Sequence, residues 1–492
     1  DDLAVRRSVD SKRGVLARRL PRDLPRSAMP VTVERAVCAT PSPQLPLLPV
    51  VGSSTQVPLV DGTSRTYANL DYAASAPALE AVAARVTEVL PLYASVHRGA
   101  GYLSQVSTAL YEASRQTIAR FVGARSDDVA IITRNTTDAL NLLADVVPVG
   151  PDGTPGRVLV LDLEHHANLL PWGLGTGRAS TVLPIETTVV ATLAALAAEL
   201  GATSYALVAV TGASNVTGEA LPVADVVRLA HTAGARVVVD GAQLVPHRGF
   251  SLVATGADYV AFSGHKTYAP FGAGALVGRR DWLDDGAPYL AGGGAVRDVR
   301  ADRTLWQPAP ARHEAGSPNV IGAIALAEAC EVLAALPDGA LAAHELALRT
   351  RLVAGLDAIA GVEVLRIWPD SAEPVGVVTF TVEGHDPGLV AAYLAAEHGI
   401  GVRDGRFCAH PLLVRLGAPG GAIRASVGVG TPGEAVDRLL TALADYLAAG
   451  PRARYVVEDD CWVVADDTRP LIPVHGLDGL AATAAACGPA VD

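Results

Sequence analysis

The sequence predicts an α/β protein, with a large lobe built on a mostly parallel sheet covered by helices and a smaller α+β lobe after it. Three observations carry this reading. Between Val129 and Val277, short runs rich in Val, Ile and Leu alternate with alanine- and leucine-rich helical stretches, as in a sheet buried on both faces. After about Asp338 the alternation gives way to a long helix, a strand pair and mixed elements. Half of the 492 residues are hydrophobic and 18% are charged, enough to bury a large core in two lobes.

In chain order, residues 1–65 contain Pro and Ser without clear periodicity and read as a largely disordered or draping arm. The large lobe spans 66–338. Its expected helices are Leu79–Leu90, Gln105–Val122, Val189–Leu200 and Val223–Ala233, and its expected strands Val129–Thr133, Arg157–Leu161, Tyr205–Thr211, Arg236–Val239, Tyr259–Phe262 and Gly274–Val277. The small lobe spans 339–450. It comprises a helix over Ala340–Ile359, strands Val362–Ile367 and Val375–Val382, a helix over Pro387–Glu397, a short strand into "GVRDGRFC", a strand Ala422–Val427 and a helix over Glu434–Leu447. Residues 451–492 form a tail with an acidic cluster at Glu458, Asp459 and Asp460.

Composition excludes several function classes. A net charge of −12 opposes nucleic-acid binding. No apolar run approaches the roughly 20 residues of a membrane-spanning helix. The five cysteines (Cys38, Cys330, Cys408, Cys461, Cys487) are scattered and lack metal-ligand spacing, so no metal site is expected and a reducing cytoplasm suits them. Residues 1–28 are arginine-rich, and Met29 is the single methionine. The reading is an extension ahead of a native start at Met29, with a basic targeting arm as the alternative.

In an α/β sheet, ligands sit beyond the carboxyl ends of the strands. Asn135-Thr136-Thr137 follows one such end and opens a helix, a place for a phosphate. His165, Asn215, Asp240 with Gln243, and Ser263 with His265 and Lys266 follow four more. Each has a plainer reading: a solvated lysine, a turn aspartate, a capping histidine, capping threonines. Together they offer a nucleophilic amine, an acid and phosphate donors, the set that pyridoxal 5'-phosphate needs.

The segments "VVVDGAQLVPH", "FSGHKTYAP", "EHHANLLPW", "ASNVTGE" and "HEAGSPN" resemble the class V aminotransferase superfamily, nearest to group II cysteine desulfurases and selenocysteine lyases. The resemblance runs from about Tyr67 to Leu447. It implies a pyridoxal-phosphate-dependent transferase of fold type I that converts L-cysteine to L-alanine and acts as a homodimer, with a sulfur-acceptor protein as a further partner. Carried over, Lys266 holds the cofactor as a Schiff base, Asp240 pairs with the ring nitrogen, and His165 stacks on the ring and relays protons. Asn215 and Gln243 bond the phenolic oxygen. Thr136, Thr137, Ser263 and His265 hold the phosphate, and Ser317 reaches the phosphate of the neighbouring subunit. Arg424, with Asn215, grips the substrate carboxylate. Cys408 in "GVRDGRFCAHPLL" takes the nucleophile position and would carry a persulfide. The chain departs from the pattern just before it, with Arg406-Phe407 in place of two histidines and Asp404 in place of a small hydroxyl residue. The alternatives are another class V reaction that does not use Cys408 (selenocysteine lyase, amino-acid lyase, epimerase or aminotransferase) and a non-catalytic partner protein.

Overall fold

The structure, a computed structural model, describes residues 44–149, 155–173 and 179–470. The readings for the arginine-rich start, Met29 and the end of the tail fall outside those residues.

A seven-stranded sheet forms the large lobe, in the order Val129–Thr133, Gly274–Gly278, Tyr259–Ser263, Arg236–Asp240, Leu207–Thr211, Val158–Leu161, Ser180–Leu183. Gly274–Gly278 runs antiparallel to both neighbours, and the other pairings are parallel. Val160, Val208, Val238 and Val260 are fully buried, because helices cover both faces and β-branched side chains pack well on a pleated surface. The six strands expected from the sequence form with ends shifted by no more than two residues. Ser180–Leu183 was not expected. It is an edge strand paired on one side alone, with Ser180 and Val182 exposed, so it lacks the continuous apolar run of its neighbours.

The second sheet is antiparallel and four-stranded: Val362–Val364, Val377–Val382, Ala422–Ser426, Arg403–Gly405. Phe380 and Ile423 pack against Leu348, Leu352 and Leu356 of the Ala340–Asp357 helix and Val436, Leu439 and Leu443 of the Gly433–Ala449 helix. In register, Arg403 lies directly opposite Arg424.

Segments at both ends of the two lobes are built into the body. In the stretch read as an arm, Gln56–Pro58 pairs with Ser64–Thr66, and Leu47 N–H donates to Val429 O at 2.7 Å. In the stretch read as a tail, Tyr455–Glu458 and Cys461–Val464 form a hairpin. Asp459 and Asp460 have φ of 48° and 61°, the left-handed pair that a two-residue hairpin turn requires. This hairpin packs on the Pro387–His398 helix. It is anchored by the buried Glu397, whose carboxylate accepts from Arg452 N, Arg452 Nε, Ala453 N and Tyr455 Oη at 2.9 to 3.2 Å.

Glu397→Ala would remove the shared acceptor of these donors. The expected loss is about 2–3 kcal/mol of stability, the range for hydrogen bonds to a charged group, checked by urea unfolding. A loss of unfolding free energy of less than about a tenth of this would show that the hairpin is not held through Glu397.

Candidate active site

The strands Val129–Thr133, Leu207–Thr211, Arg236–Asp240 and Tyr259–Ser263 end on one side of the large sheet, and their following loops line a cleft of about 310 Å³. The Thr136–Val146 helix opens at this edge with Asn135 as its cap, the Asn135 side chain accepting from Asp138 N. Ser263 Oγ accepts from Thr136 N–H at 2.7 Å and lies 2.7 Å from Thr136 Oγ1. Close backbone approach makes this possible. A Cβ on Gly274 would fall 2.7 Å from Asn135 Cα and 2.8 Å from Phe262 O, so no larger residue fits where strand and helix start meet. Hydroxyls, a helix start and His265 thus face one corner of the cleft, a setting for a phosphate.

Lys266 follows the Tyr259–Ser263 strand in a tight turn, with Lys266 N–H donating to Ser263 O. Gly264 permits the turn, since a Cβ there would meet Ala269 O and Ala273 O at 2.8 Å. Burial, with Arg424 as a further cation, brings the Lys266 amine down to about 8 against the opposing pull of Asp240. Asp240 is itself buried. Burial pushes its carboxyl up, while Ala242 N–H, which donates to Oδ1 at 2.9 Å, and Lys266 hold it down. His165 Nδ1 accepts from Ala167 N–H at 3.0 Å, which leaves the ring proton on Nε2. Burial, Lys266, His166 and Arg424 lower it to about 3, so the imidazole is neutral. Burial and Lys266 likewise bring His265 to about 4.

The second sheet supplies the remaining wall. Arg424 is buried, donates from Nη1 to Asn215 O and from Nη2 to Asp71 Oδ1, both at 3.0 Å, and stacks 5.1 Å from the Phe407 ring centroid. Its Nε is buried without a partner. The Cys408 loop is pinned by donors of the large lobe: Asn215 Nδ2 to Phe407 O and His166 N to Cys408 O, each 2.8 Å. Phe407 and Cys408 both have left-handed φ, 51° and 53°, a strained pair that these bonds sustain. Cys408 is electrostatically coupled to both Lys266 and Arg424. Two imidazoles, His166 and His410, meet edge to face at 4.5 Å beside the loop.

The residues present fit pyridoxal phosphate. A buried carboxylate, a lysine of lowered pKa, a neutral imidazole and a hydroxyl-lined helix start share the cleft, and buried Gln243 Oε1 has no partner there. Lys266, Asp240, His165, Gln243, Asn215, Thr136, Thr137, Ser263, His265, Cys408 and Arg424 all line it. Ser317 does not; it lies on an exposed loop before the Val320–Ala334 helix. The amide N–H groups of Asn215 and Gln243 are engaged elsewhere, with Phe407 O and Ala73 O. Sequence reasoning missed Asp71 and Glu164. Asp71 sits more than 300 positions from its partner, and nothing local marks it. Glu164, fully buried, accepts from Thr211 N and Asn168 Nδ2, and burial, with Asp240 adding, pushes its carboxyl well above the usual range. Its place beside His165 in "EHHAN" was the available signal.

The Aminotransferase class-V family profile matches residues 68–439. A probable cysteine desulfurase of Vibrio cholerae is 38% identical over 354 residues, covering 71% of this chain and 86% of that protein. A cysteine desulfurase of Dickeya dadantii is 38% identical over 389 residues, covering 78% and 92%. The apo structure of cysteine desulfurase from Thermococcus onnurineus NA1 matches with a TM-score of 0.71 at 33% identity, over 78% of this chain and 95% of that one. Every cleft residue named above falls within the matched span, and the chain belongs to the class-V aminotransferase family.

Proposed function

We propose that this chain is a pyridoxal-phosphate-dependent cysteine desulfurase that moves the sulfur of L-cysteine onto Cys408 and releases L-alanine. The observation that carries the reading is that Lys266, Arg424 and Cys408 line one cleft of about 310 Å³, which brings an amine, a guanidinium and a thiol together. The names of the relatives, at 38% identity over most of their length, support the same chemistry.

In this reading Lys266 would link the cofactor, Asp240 would pair with its ring nitrogen, His165 would stack on its ring, and Thr136, Thr137, Ser263 and His265 would hold its phosphate. The bound cofactor supplies an electron sink for the substrate's Cα. Arg424 binds the substrate carboxylate through donors that include Nε, which has no protein partner. The Lys266 amine, neutral above about 8, takes the proton from Cα. Cys408 Sγ attacks the substrate sulfur as a thiolate. The S–S bond forms as the Cβ–S bond breaks, and the electron pair left on carbon is taken up by a proton to give alanine. Lys266 and Arg424 lie close enough to favour the thiolate. Phe407 supports the guanidinium of Arg424, which gives the Arg406-Phe407 departure a structural use.

A homodimer completes the reading. Ser317 is exposed and outside its own cleft, as a residue reaching a partner's phosphate would be. No helix among the described residues is long and apolar enough to cross a membrane. The reading is a cytoplasmic enzyme with a protein sulfur acceptor.

Cys408→Ala is expected to keep the cofactor's absorption band while alanine formation and alkylation-trapped persulfide from L-cysteine fall at least about a hundredfold, the scale of losing a nucleophile. Near-normal turnover would transfer the role away from Cys408. Uptake of pyridoxal phosphate by the apo protein should accelerate with rising pH through about 8 and then level off, because the protonated amine cannot attack the aldehyde. Borohydride should fix the label at Lys266, and a pH-independent rate would contradict the lowered amine. Sedimentation should give a dimer; a fully active monomer would remove the role of Ser317.

A further inference from the structure

We propose that Tyr268 is a positioning residue for Lys266. It ties the turn that carries the lysine to the strand that carries Arg424, and so keeps the small lobe closed over the amine. The proposal rests on the desulfurase reading in one respect, that Lys266 is the residue that links the cofactor.

Tyr268 stands two residues after Lys266 with φ of 57°, a left-handed conformation that a bulky residue keeps only where its surroundings over-determine it. It is buried, yet it does not line the cleft. Two bonds hold it, one at the backbone and one at the tip. Its carbonyl accepts from Leu79 N–H at 3.2 Å, and its Oη accepts from Val429 N–H at 3.1 Å. Val429 lies just beyond the Ala422–Ser426 strand, so the second bond joins the lysine turn to the small lobe. The receiving turn is shaped for close approach. A Cβ on Gly428 would fall 2.5 Å from Tyr268 Oη and 2.5 Å from Tyr72 Cδ1, so glycine there lets the rings of Tyr72 and Tyr268, 6.2 Å apart, reach the backbone. From the other side Val429 O accepts from Leu47 N–H and Leu48 N–H at 2.7 and 3.1 Å, which holds the turn against the phenol.

The consequence falls on the amine, which lies in a cleft walled by both lobes. Burial is the largest influence on Lys266 and lowers it. Arg424 lowers it further, whereas Asp240, Cys408 and Asp71 act the other way. The imidazoles of His165 and His265 that flank it are neutral. The groups on the Arg424 side thus pull in both directions, and the covering of the amine decides the sign. Loosening the Tyr268–Val429 contact admits water to the cleft, and a better hydrated amine holds its proton more firmly.

The test is Tyr268→Phe, which keeps the ring and removes the acceptor of Val429 N–H. Apo protein is mixed with pyridoxal phosphate at several pH values, and attachment is followed by absorbance and located by borohydride labelling. Attachment should be about threefold slower than in the wild type at pH 7, as for an amine whose pKa rises by about 0.5. At pH 10, where the amine is neutral in both proteins, the two rates should coincide. Gly428→Ala crowds the phenol from the other side of the contact and should give the same profile. Slowing by one factor at every pH would mark general damage to the fold and overturn the role of Tyr268. A Tyr268→Phe profile that coincides with the wild type throughout would overturn it equally, and both results leave the desulfurase reading standing. A borohydride label away from Lys266 in the wild-type protein would overturn the cofactor assignment and the proposal with it.

Discussion

The cleft depends on one constraint: a lysine, an arginine and an aspartate are buried close together, and how each is paired sets its hold on its proton. Burial acts on all three against the charged form. What separates them is local pairing. Arg424 has Asp71 and the Asn215 carbonyl, and its guanidinium holds a proton far more strongly than an amine. Asp240 has the Ala242 N–H and the nearby Lys266. Lys266 has the attraction of Asp240 but also the repulsion of Arg424, and it settles at about 8. The neutral state of His165 and His265 follows first from burial and then from the nearby Lys266.

That balance needs both sheets. Lys266, Asp240 and the phosphate corner come from the ends of the large sheet, whereas Arg424, Arg403 and Cys408 come from the small one. The contacts that cross between them are polar and specific. Arg424 Nη1 donates to Asn215 O, Asn215 Nδ2 to Phe407 O, and Thr379 Oγ1 to Val216 O. The Cys408 loop is thus held by large-lobe donors as well as by its own turn, which accounts for two consecutive left-handed residues without glycine. Phe407 is buried beneath Arg424, so the side chain that breaks the family pattern packs against that guanidinium.

Segments beyond the matched span buttress the small lobe. Leu47 and Leu48 bond to Val429, and the hairpin at 455–464 closes over the Pro387–His398 helix, whose last turn carries Glu397. Trp462 lies against Gly388 at the start of that helix, and Asp404 approaches the same glycine from the strand leading to Cys408. The second departure from the family pattern, Asp404, thus faces the added hairpin rather than the cleft.

Most of the fold was legible because the signals are local. Runs such as "VVVD" and "YVAFS" are continuous in apolar residues wherever a strand is covered on both faces, and each ends at a polar residue that the sheet then gathers at one edge. Lys266, Asp240, His165 and Thr136 could be named from that rule and from the family's motifs. The edge strand Ser180–Leu183 escaped it, since half its side chains face water. By itself, then, the sequence determined the α/β class, the strand ends and the polar side chains that the sheet gathers at one edge, because periodicity and residue type are written in consecutive positions. Tertiary structure alone decided which charges meet. The pairing of Asp71 with Arg424, the opposition of Arg403 to Arg424 and the tethering of Cys408 by Asn215 and His166 join residues tens to hundreds of positions apart, and electrostatic energy depends on their separation in space.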